Sequence, residues 1–464
     1  MITHYRKLKR KSKIQNFLTS ASDFFLIFME TSSIHGFSHI VTRKRHPLEY
    51  FLWILTVILA GTATVQLNLS KWRQYQDNPT VVSLERNYLD WNTSLPAVSI
   101  CPEAKLNPSK LEEVIKKFSY VKDEKRLKNF LLSLVFVSYK NFDVFMETFD
   151  ELKTSDYWKA VAIVKHDLTY SVINSNAEKY DITTMSPFMS ESGICYSYNS
   201  VVTQYNDPSY WESRNWSIVE APAAFRGSPL DGDIFAQIMS MNTGYRLYIH
   251  APAEFPDVAL SSMVAKNNSF KELEIQALNI YSTEATLQLS IKQRKCRRPE
   301  ESNLLLSPIY TYNMCRMECR MKKCWELCGC VPYFYRPLEN FKICDIKGMK
   351  CLSKHKELLV KLRDPKTEKK IKCDCLPQCD EINYLIDSES TMNWDFGTTL
   401  KWGVIRYPRL RYKRDIIFGL SDLLVAIGGT AGLFLGCSLL SFAEIFYFFS
   451  LRLFWFIVRK MRKN

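Results

Sequence analysis

The sequence of 464 residues lacks the motifs by which many enzymes are recognised. It contains no HExxH, no Walker phosphate-binding loop and no GxSxG, and its seven histidines show no metal-ligand spacing. It also has no repeat of fixed period and no long linker rich in Gly, Ser or Pro. We therefore expect no enzyme, no cofactor, no bound metal and no string of separate domains.

Net charge is almost absent from the long middle of the chain. The formal charge is +14, which by itself is typical of nucleic-acid binding. Residues 1–48 carry a net +7 and residues 452–464 a net +5, whereas residues 49–451 hold 48 basic and 46 acidic side chains. Because the excess lies at the two ends, we expect no nucleic-acid partner.

Long apolar runs are few, and the mean hydropathy of −0.17 argues against a protein made mostly of lipid-buried helices. Residues 50–67 contain no charge, and residues 423–449 contain only Glu444. Each run reaches the roughly 18 residues that cross a hydrocarbon core of about 30 Å. The first begins behind a long basic segment, which indicates a retained signal anchor rather than a cleaved signal peptide.

The basic ends predict the topology, because Lys and Arg beside a span favour the cytoplasmic side. We expect a plasma-membrane protein with two spans and both termini in the cytoplasm. The predicted boundaries are a cytoplasmic N-terminus at 1–48, a first transmembrane helix at 49–68, an extracellular cysteine-rich domain at 69–415, a pre-span segment with the second transmembrane helix at 416–451, and a basic cytoplasmic C-terminus at 452–464.

Thirteen of the fourteen cysteines lie in the middle, as expected of a disulfide framework in an oxidising compartment. All four Asn-x-Ser/Thr sites, candidate glycosylation acceptors, lie there too: Asn68, Asn92, Asn215 and Asn267.

Two cysteine spacings match each other. Cys315 and Cys319 are one helical turn apart, about 6 Å, and Cys373 and Cys375 would lie about 6.6 Å apart on one face of a strand. A helix and an adjacent antiparallel strand could then be joined by two parallel disulfide rungs, Cys319 with Cys373 and Cys315 with Cys375. A third pair, Cys296 with Cys379, could extend this ladder.

The remaining cysteines leave alternatives open. Cys328 and Cys330 would pair with Cys344 and Cys351, in an order that the spacing does not decide. A zinc site is the competing interpretation, but paired Cys-x-x-Cys knuckles are missing. Cys324 has no partner in the ladder and is either free or intermolecular. Cys437, in the second apolar run, is expected to be an unpaired buried thiol.

The second run is also unusual in its glycines, since five of the fifteen fall between Gly419 and Gly436. Such glycines either let helices pack closely or interrupt a helix that lines a water-filled path. Glu444 favours the second alternative, because an ionisable group inside a span usually faces a polar cavity. Two spans enclose no pore, so a channel would require an oligomer.

Local patterns predict a mixed α and β middle domain. Asn107 and Pro108 precede apolar residues at helical spacing, which predicts a helical region to about residue 160. Alternating side chains predict strands at residues 245–250 and 286–291. The fold class is α+β, with two transmembrane helices flanking one large disulfide-rich extracellular domain.

In chain order, the motifs resemble the degenerin/epithelial sodium channel superfamily, most closely its insect pickpocket branch. The similar segments cover nearly the whole chain: SSIHG (32–36), NPTVVSL (78–84), LPAVSICP (95–102), GICYSYN (193–199), CGCVPYFY (328–335), CDCLPQC (373–379) and GGTAGLFLGCSLLSFAE (428–444).

The resemblance implies a subunit of a trimeric, amiloride-sensitive, sodium-selective or cation channel, embedded in membrane lipid and gated through its ectodomain. Its partners would be sodium ions, further copies or related subunits, and an unknown extracellular ligand. It also implies the pairs Cys101–Cys195, Cys328–Cys351 and Cys330–Cys344. The residues matched to functional positions are Gly436, Cys437 and Ser438 in the selectivity filter, Gly432 at the amiloride position, Glu444 in the inner pore, and His35, Gly36 and Val425 in gating.

Two departures from the superfamily pattern affect gating. Val425 stands where a small residue is usual, which implies tolerance of Val or conduction at rest, and Ala426 follows where an acidic or polar residue is common. The alternatives are a non-conducting two-span receptor or auxiliary subunit and an ATP-gated purinergic channel. The latter lacks the Gly-x-Ser and His-Gly motifs.

Overall fold

The computed structural model describes residues 22–42, 45–145, 149–175, 185–213, 216–219 and 224–463. They divide into two compact units. The first comprises the described parts of Met1–Val81, Lys292–Arg294 and Ile416–Asn464, and the second those of Val82–Ile291 and Lys295–Asp415. Asn215 lies outside the described residues.

The helices are α1 (22–31), α2 (Phe37–Val41), α3 (Pro47–Asp77), α4 (Leu111–Lys117), α5 (Glu124–Leu134), α6 (Tyr157–Val164), α7 (Pro208–Ser213), α8 (Glu284–Leu287), α9 (Ile291–Arg294), α10 (Tyr312–Cys328), α11 (Ile346–Lys354), α12 (Lys356–Lys361), α13 (Leu420–Leu435), α14 (Leu439–Tyr447) and α15 (Leu453–Lys463). Short 3₁₀ turns lie at Pro108–Lys110, Thr154–Asp156, Thr203–Asn206 and Pro299–Glu301.

The strands are β1 (Thr80–Glu85), β2 (Thr93–Ser94), β3 (Ala97–Pro102), β4 (Ser171–Asn174), β5 (Ser186–Ser190), β6 (Gly193–Tyr198), β7 (Arg226–Gly227), β8 (Ile234–Met241), β9 (Tyr245–His250), β10 (Met263–Ala265), β11 (Ser269–Ser282), β12 (Glu381–Asn393), β13 (Thr398–Arg406) and β14 (Arg411–Ile416). This mixed content confirms the α+β class.

Helix α3 contains the first apolar run and is longer than the run. Pro47 opens it, where a missing N–H costs nothing, and His46 accepts a hydrogen bond from the Leu48 N–H at 3.3 Å. The helix continues to Asp77, so it includes residues 69–77, which we expected to belong to the extracellular domain. The polar residues after position 67 therefore extend the helix instead of ending it.

The second apolar run is not one helix. α13 ends at Leu435, α14 begins at Leu439, and the helix then continues through a π-helical turn at Phe448–Arg452 into α15. Residues 452–463, which we expected to be a basic tail, therefore prolong the helix. π-helical turns are rare and arise where the regular ladder takes up an extra residue.

Phenylalanines from both ends of the chain form the core of the first unit. Phe24 of α1 lies 5.1 Å from Phe448 and 5.1 Å from Phe456 between ring centroids, and Phe28 lies 5.0 Å from Phe449. These tilted arrangements suit the quadrupoles of the rings. They hold α1 against the π-helical turn and α15.

Two sheets form the centre of the second unit. The larger has the order β1-β14-β11-β13-β8-β4, with β12 paired to β11, and the smaller the order β10-β9-β3-β6-β5. Buried side chains from both sheets make one cluster, in which Trp402 of β13 packs edge-on against Tyr198 of β6 at 5.4 Å. The predicted strand at 245–250 is confirmed as β9.

The predicted strand at 286–291 is wrong. Thr283 caps α8 by accepting the Thr286 N–H at 3.4 Å, and the Leu287 N–H bonds to the Thr283 carbonyl at 3.1 Å. The helix-capping threonine outweighs the alternation of apolar residues behind it. The helical region after Asn107 is confirmed as α4, α5 and α6, with the Asn107 side chain accepting from the Ser109 N–H at 3.1 Å.

All six expected disulfides are formed in the second unit: Cys101–Cys195, Cys296–Cys379, Cys315–Cys375, Cys319–Cys373, Cys328–Cys351 and Cys330–Cys344. The helix that carries Cys315 and Cys319 is α10. The predicted strand that carries Cys373 and Cys375 is wrong, because these residues are irregular and Asp374 between them has φ +52°. The spacing thus predicted the two disulfide rungs correctly, but not the backbone conformation of residues 373–375.

A buried charge network lies beneath α10. Arg320 is fully buried, and its guanidinium donates to the carboxylates of Glu191 at 2.5 Å and Asp257 at 2.8 Å. Burial opposes ionisation of Asp257, yet Arg320 and Arg316 hold the pKa of its carboxyl below the ordinary value. Removing one member of such a network leaves an unpaired buried charge.

Cys324 lies in the same region. Its thiol is fully buried, unpaired, and 3.2 Å from the Tyr139 hydroxyl. Burial raises the pKa of this thiol to about 12. Of the two alternatives for Cys324, the free thiol fits and the intermolecular disulfide does not, because the sulfur is inaccessible.

Candidate functional site

The break in the second apolar run begins at Gly436. This residue has φ +64°, the left-handed conformation that favours glycine. Its N–H bonds to the Gly432 carbonyl at 3.0 Å, and the Cys437 N–H turns back to the Ala431 carbonyl at 3.2 Å. These bonds satisfy carbonyls that the end of α13 would otherwise leave without partners.

Ser438 starts the next helix. Its hydroxyl accepts from the Ser441 N–H at 3.3 Å, and its own N–H donates to the Ser441 hydroxyl at 3.1 Å. Glycine at a helix end and serine at a helix start are the residues preferred at those positions. The Gly-Cys-Ser sequence therefore encodes a capped, three-residue interruption of the helix.

A segment near the N-terminus closes over this break. The His35 N–H donates to the Leu435 carbonyl at 3.0 Å, which satisfies one more carbonyl at the end of α13. A side chain added at Gly436 would overlap the imidazole of His35. The structure thus brings together two motifs that lie 400 residues apart in the sequence.

Gly36 permits this approach. It has φ +93°, and a Cβ atom added there would lie 2.6 Å from Cγ2 of Val57 on α3. Both the backbone conformation and the space exclude a larger residue. His35 and Gly36 therefore have separate roles: one contacts the helix break, and the other lets the chain turn against α3.

Ser33 is a further residue of this site that sequence reasoning missed. Its hydroxyl donates to the Ser441 hydroxyl at 2.8 Å, and its N–H donates to the Glu444 carboxylate at 3.3 Å. Ser33 belongs to the SSIHG segment, in which the family resemblance assigns a role only to His35 and Gly36. Glu444, the one acidic residue of the apolar run, is thus held by the N-terminal segment.

A second connection joins α3 to α13. The Thr430 hydroxyl donates to the side-chain oxygen of Asn68 at 2.6 Å. Asn68 lies within helix α3 and is half-buried. This placement argues against Asn68 as a glycan acceptor, whereas Asn92 and Asn267 are exposed and lie outside the helices and strands.

The other expected site residues lie on α13. A Cβ atom added at Gly432 would lie 3.6 Å from the Cys437 carbonyl oxygen, so Gly432 faces the break. Val425, two turns before Gly432, is 74% exposed in the single chain. Cys437 is half-buried and unpaired.

Among the described residues, two helices are long and apolar enough to cross a membrane: Pro47–Asp77 and Leu439–Arg459, with Leu420–Leu435 as a shorter apolar helix before the break. Only 6% and 11% of the most apolar stretch of these two helices is buried, so their apolar side chains are not the core of a water-soluble fold. They are accessible to lipid or to neighbouring subunits.

Comparison with known proteins agrees with this architecture. A family model described as amiloride-sensitive sodium channel matches residues 28–448. Sodium channel protein Nach of Drosophila ananassae is 22% identical over 455 residues, covering 91% of this chain and 86% of that protein. Pickpocket protein 19 of Drosophila melanogaster is 23% identical over 473 residues, covering 93% and 91%. The bile acid-sensitive ion channel of Mus musculus is 22% identical over 482 residues, covering 95% and 90%.

The chain therefore belongs to the amiloride-sensitive sodium channel family. The predicted resemblance is confirmed, including its insect pickpocket character. The protein is a two-span membrane protein and a subunit of a sodium or cation channel that assembles with related subunits; it is not an enzyme.

Proposed function

We propose that the chain forms a trimeric, sodium-preferring, amiloride-sensitive channel of the plasma membrane, gated through its ectodomain, as a homotrimer or with related subunits. Both termini would be cytoplasmic, because both ends of the chain are basic and Lys and Arg favour that side. An unknown extracellular ligand would act on the second unit, and membrane lipid would surround the first.

The observation that carries this proposal is the capped break at Gly436–Ser438. In three copies, the interrupted backbone would expose small residues and carbonyl groups around one axis. Carbonyl oxygens at close quarters replace part of the hydration shell of a small cation. Gly436, Cys437 and Ser438 are therefore the proposed filter, and Gly432, which faces the Cys437 carbonyl, is the proposed amiloride contact.

Three further residues have proposed roles around this filter. Glu444 would form a ring of three carboxylates that attracts cations from the inner side. His35 and Gly36 would transmit movements of the N-terminal segment to the break, because the His35 N–H holds the Leu435 carbonyl. Val425 would influence gating from the outer half of α13.

Reversal potentials in cells expressing the chain test the proposal. We expect a current that amiloride blocks and whose reversal potential shifts when sodium is replaced by potassium, and more strongly when it is replaced by N-methyl-D-glucamine. Replacing Glu444 by Gln should reduce inward current, while Glu444→Leu should reduce it at least as much. Unchanged currents in both variants would contradict the carboxylate ring, and a potassium-preferring current would contradict sodium selectivity.

A further inference from the structure

A cavity of about 570 Å³ opens in the second unit beside the first turn of α10, next to the end of β9 and the start of β12. Small-molecule sites in proteins usually have volumes of about 300–1,000 Å³. Ile249, Leu260 and Ile382 contribute apolar lining, and Asn313 and Gln378 contribute amides. The cavity thus has both the size and the mixed lining of a ligand site.

The charged residues in its wall are acidic. Glu254 and Glu381 line the cavity, and none of its described lining residues is Lys or Arg. Arg414 does not line it and is attracted to both Glu381 and Asp380, so two carboxylates share one guanidinium. His250 stays neutral, because burial lowers the pKa of its ring to about 4.

Glu254 is a carboxylate held by uncharged groups, namely backbone N–H groups and the side chain of Thr311. Its Oε1 accepts from the Phe255 N–H at 2.9 Å and from the Asn313 N–H at 3.1 Å. Within the part of the chain that the structure describes, no Lys or Arg forms an ion pair with Glu254. A desolvated carboxylate without a cationic partner favours the binding of one.

Two aromatic rings complete the wall. Tyr312 and Tyr384 both line the cavity, and the Tyr384 hydroxyl donates to the Ser94 carbonyl at 2.8 Å, which holds its ring in place. The face of a tyrosine attracts a cation within about 6 Å of the ring centre, as Tyr312 already does with the Arg316 guanidinium at 5.9 Å. Carboxylates with aromatic faces are the chemistry that recognises ammonium groups.

A metal ion fits these residues less well. Among the described residues, the one close group of three potential metal ligands is Cys328, Cys351 and His355, which lies outside this cavity and whose cysteines form a disulfide. The cavity also holds many times the volume of an ion.

We propose that this cavity binds a small organic cation, an amine whose ammonium group meets Glu254 and Glu381 and whose apolar part occupies the remaining volume. Through Asn313, Glu254 holds the first turn of α10, the helix that carries the Cys315 and Cys319 rungs. A bound amine would therefore act on the first turn of α10. Its influence on gating rests on the proposed channel function.

Calorimetry tests the proposal. It measures the binding of phenethylamine to the purified full-length chain in lipid nanodiscs at neutral pH. We expect saturable binding of phenethylamine and none of 3-phenylpropionate, its anionic counterpart. Glu381→Gln should weaken binding about tenfold. Asp387→Asn is the matched control, because Asp387 lies on the same strand outside the cavity, paired with Arg406 at 3.3 Å; it should bind like wild type.

Glu254→Gln should weaken binding at least as much as Glu381→Gln does. Because Glu254 also holds the first turn of α10, thermal unfolding should first establish that this variant is folded. Equal binding of the amine and the carboxylate, no binding to a folded wild-type chain, or wild-type affinity in both Gln variants would overturn the proposal. The binding measurement needs no current. Amine binding by a chain that passes no cations would contradict the proposed function alone, and normal currents without amine binding would contradict this site alone.

Discussion

The backbone N–H of His35 donates a 3.0 Å hydrogen bond to the carbonyl oxygen of Leu435, the last residue of α13. This bond joins the N-terminal segment to the point where the second span is interrupted. It also places the His35 ring where a side chain at Gly436 would have to be.

Gly436→Ala should abolish the current or lower its sodium preference. Alanine in the left-handed region costs about 1–2 kcal/mol, and its Cβ would displace His35. Gly61→Ala is the control, because no atom of the described residues outside the adjoining turns of its own helix lies within 4 Å of a Cβ there. The current amplitudes and reversal potentials of Gly436→Ala, Gly61→Ala and wild type are to be compared. If the overlap with His35 is the cause, adding His35→Ala should restore part of the current; a double variant no better than Gly436→Ala would argue against that cause.

Arg320→Met should lower the free energy of unfolding by about 3–5 kcal/mol, because it leaves the buried carboxylates of Glu191 and Asp257 without their cation. Lys323→Met on the same helix removes only the ion pair with Glu326, in which Lys323 is 30% and Glu326 57% exposed, and should change stability by less than about 1 kcal/mol. Thermal unfolding of both purified variants provides the measurement. Similar unfolding temperatures would show that the buried network contributes little.

Glu254 should make stability depend on pH. Burial raises the pKa of its carboxyl from 4.5 to about 7. A raised carboxyl pKa favours the folded state fully below about pH 4.5, and this contribution is lost as the pH rises through about 7. His250 does not titrate in this window, because burial lowers its pKa to about 4.

Between about pH 5 and pH 8, the free energy of unfolding of wild type should therefore fall by about 2–3 kcal/mol relative to that of Glu254→Gln. Thermal unfolding across this range checks the prediction, and parallel curves for wild type and Glu254→Gln would contradict it.

Cys324 should be unreactive in the folded protein. Its thiol is buried, and burial raises its pKa to about 12, so little thiolate forms at neutral pH. A maleimide should modify Cys324 only after denaturation, as mass spectrometry of the peptide would show. Rapid modification in native membranes, or a dimer on a non-reducing gel that Cys324→Ala removes, would contradict the buried position.

Glycan attachment should distinguish three of the four candidate acceptors, Asn68, Asn92 and Asn267. Asn92→Gln and Asn267→Gln should each remove one glycan, because both residues are exposed in the proposed ectodomain. Asn68→Gln should leave the gel mobility unchanged, since Asn68 lies in α3 and bonds to Thr430. Wild-type protein digested with a glycosidase provides the reference gel mobility of the chain without glycans. A glycan on Asn68 would show that this part of α3 lies well outside the membrane.

Much of the architecture could be predicted from local patterns. The first apolar run and the charge at the two ends indicated the spans, because length and composition alone decide whether a helix can cross a membrane. The spacing of Cys315, Cys319, Cys373 and Cys375 indicated two rungs, because a helical turn and a two-residue step cover similar distances. The same spacing did not reveal that Cys373 and Cys375 lie on irregular backbone.

The sequence by itself determined the composition of the spans, the cysteine ladder and the residues that interrupt the second helix, since Gly436 and Ser438 act through local capping. Only the tertiary structure decided that Ser33 and His35 close this interruption and that Asn68 bonds to Thr430. It alone assembled the cavity around Glu254. These relationships join residues far apart in the chain, and no local periodicity or propensity encodes them.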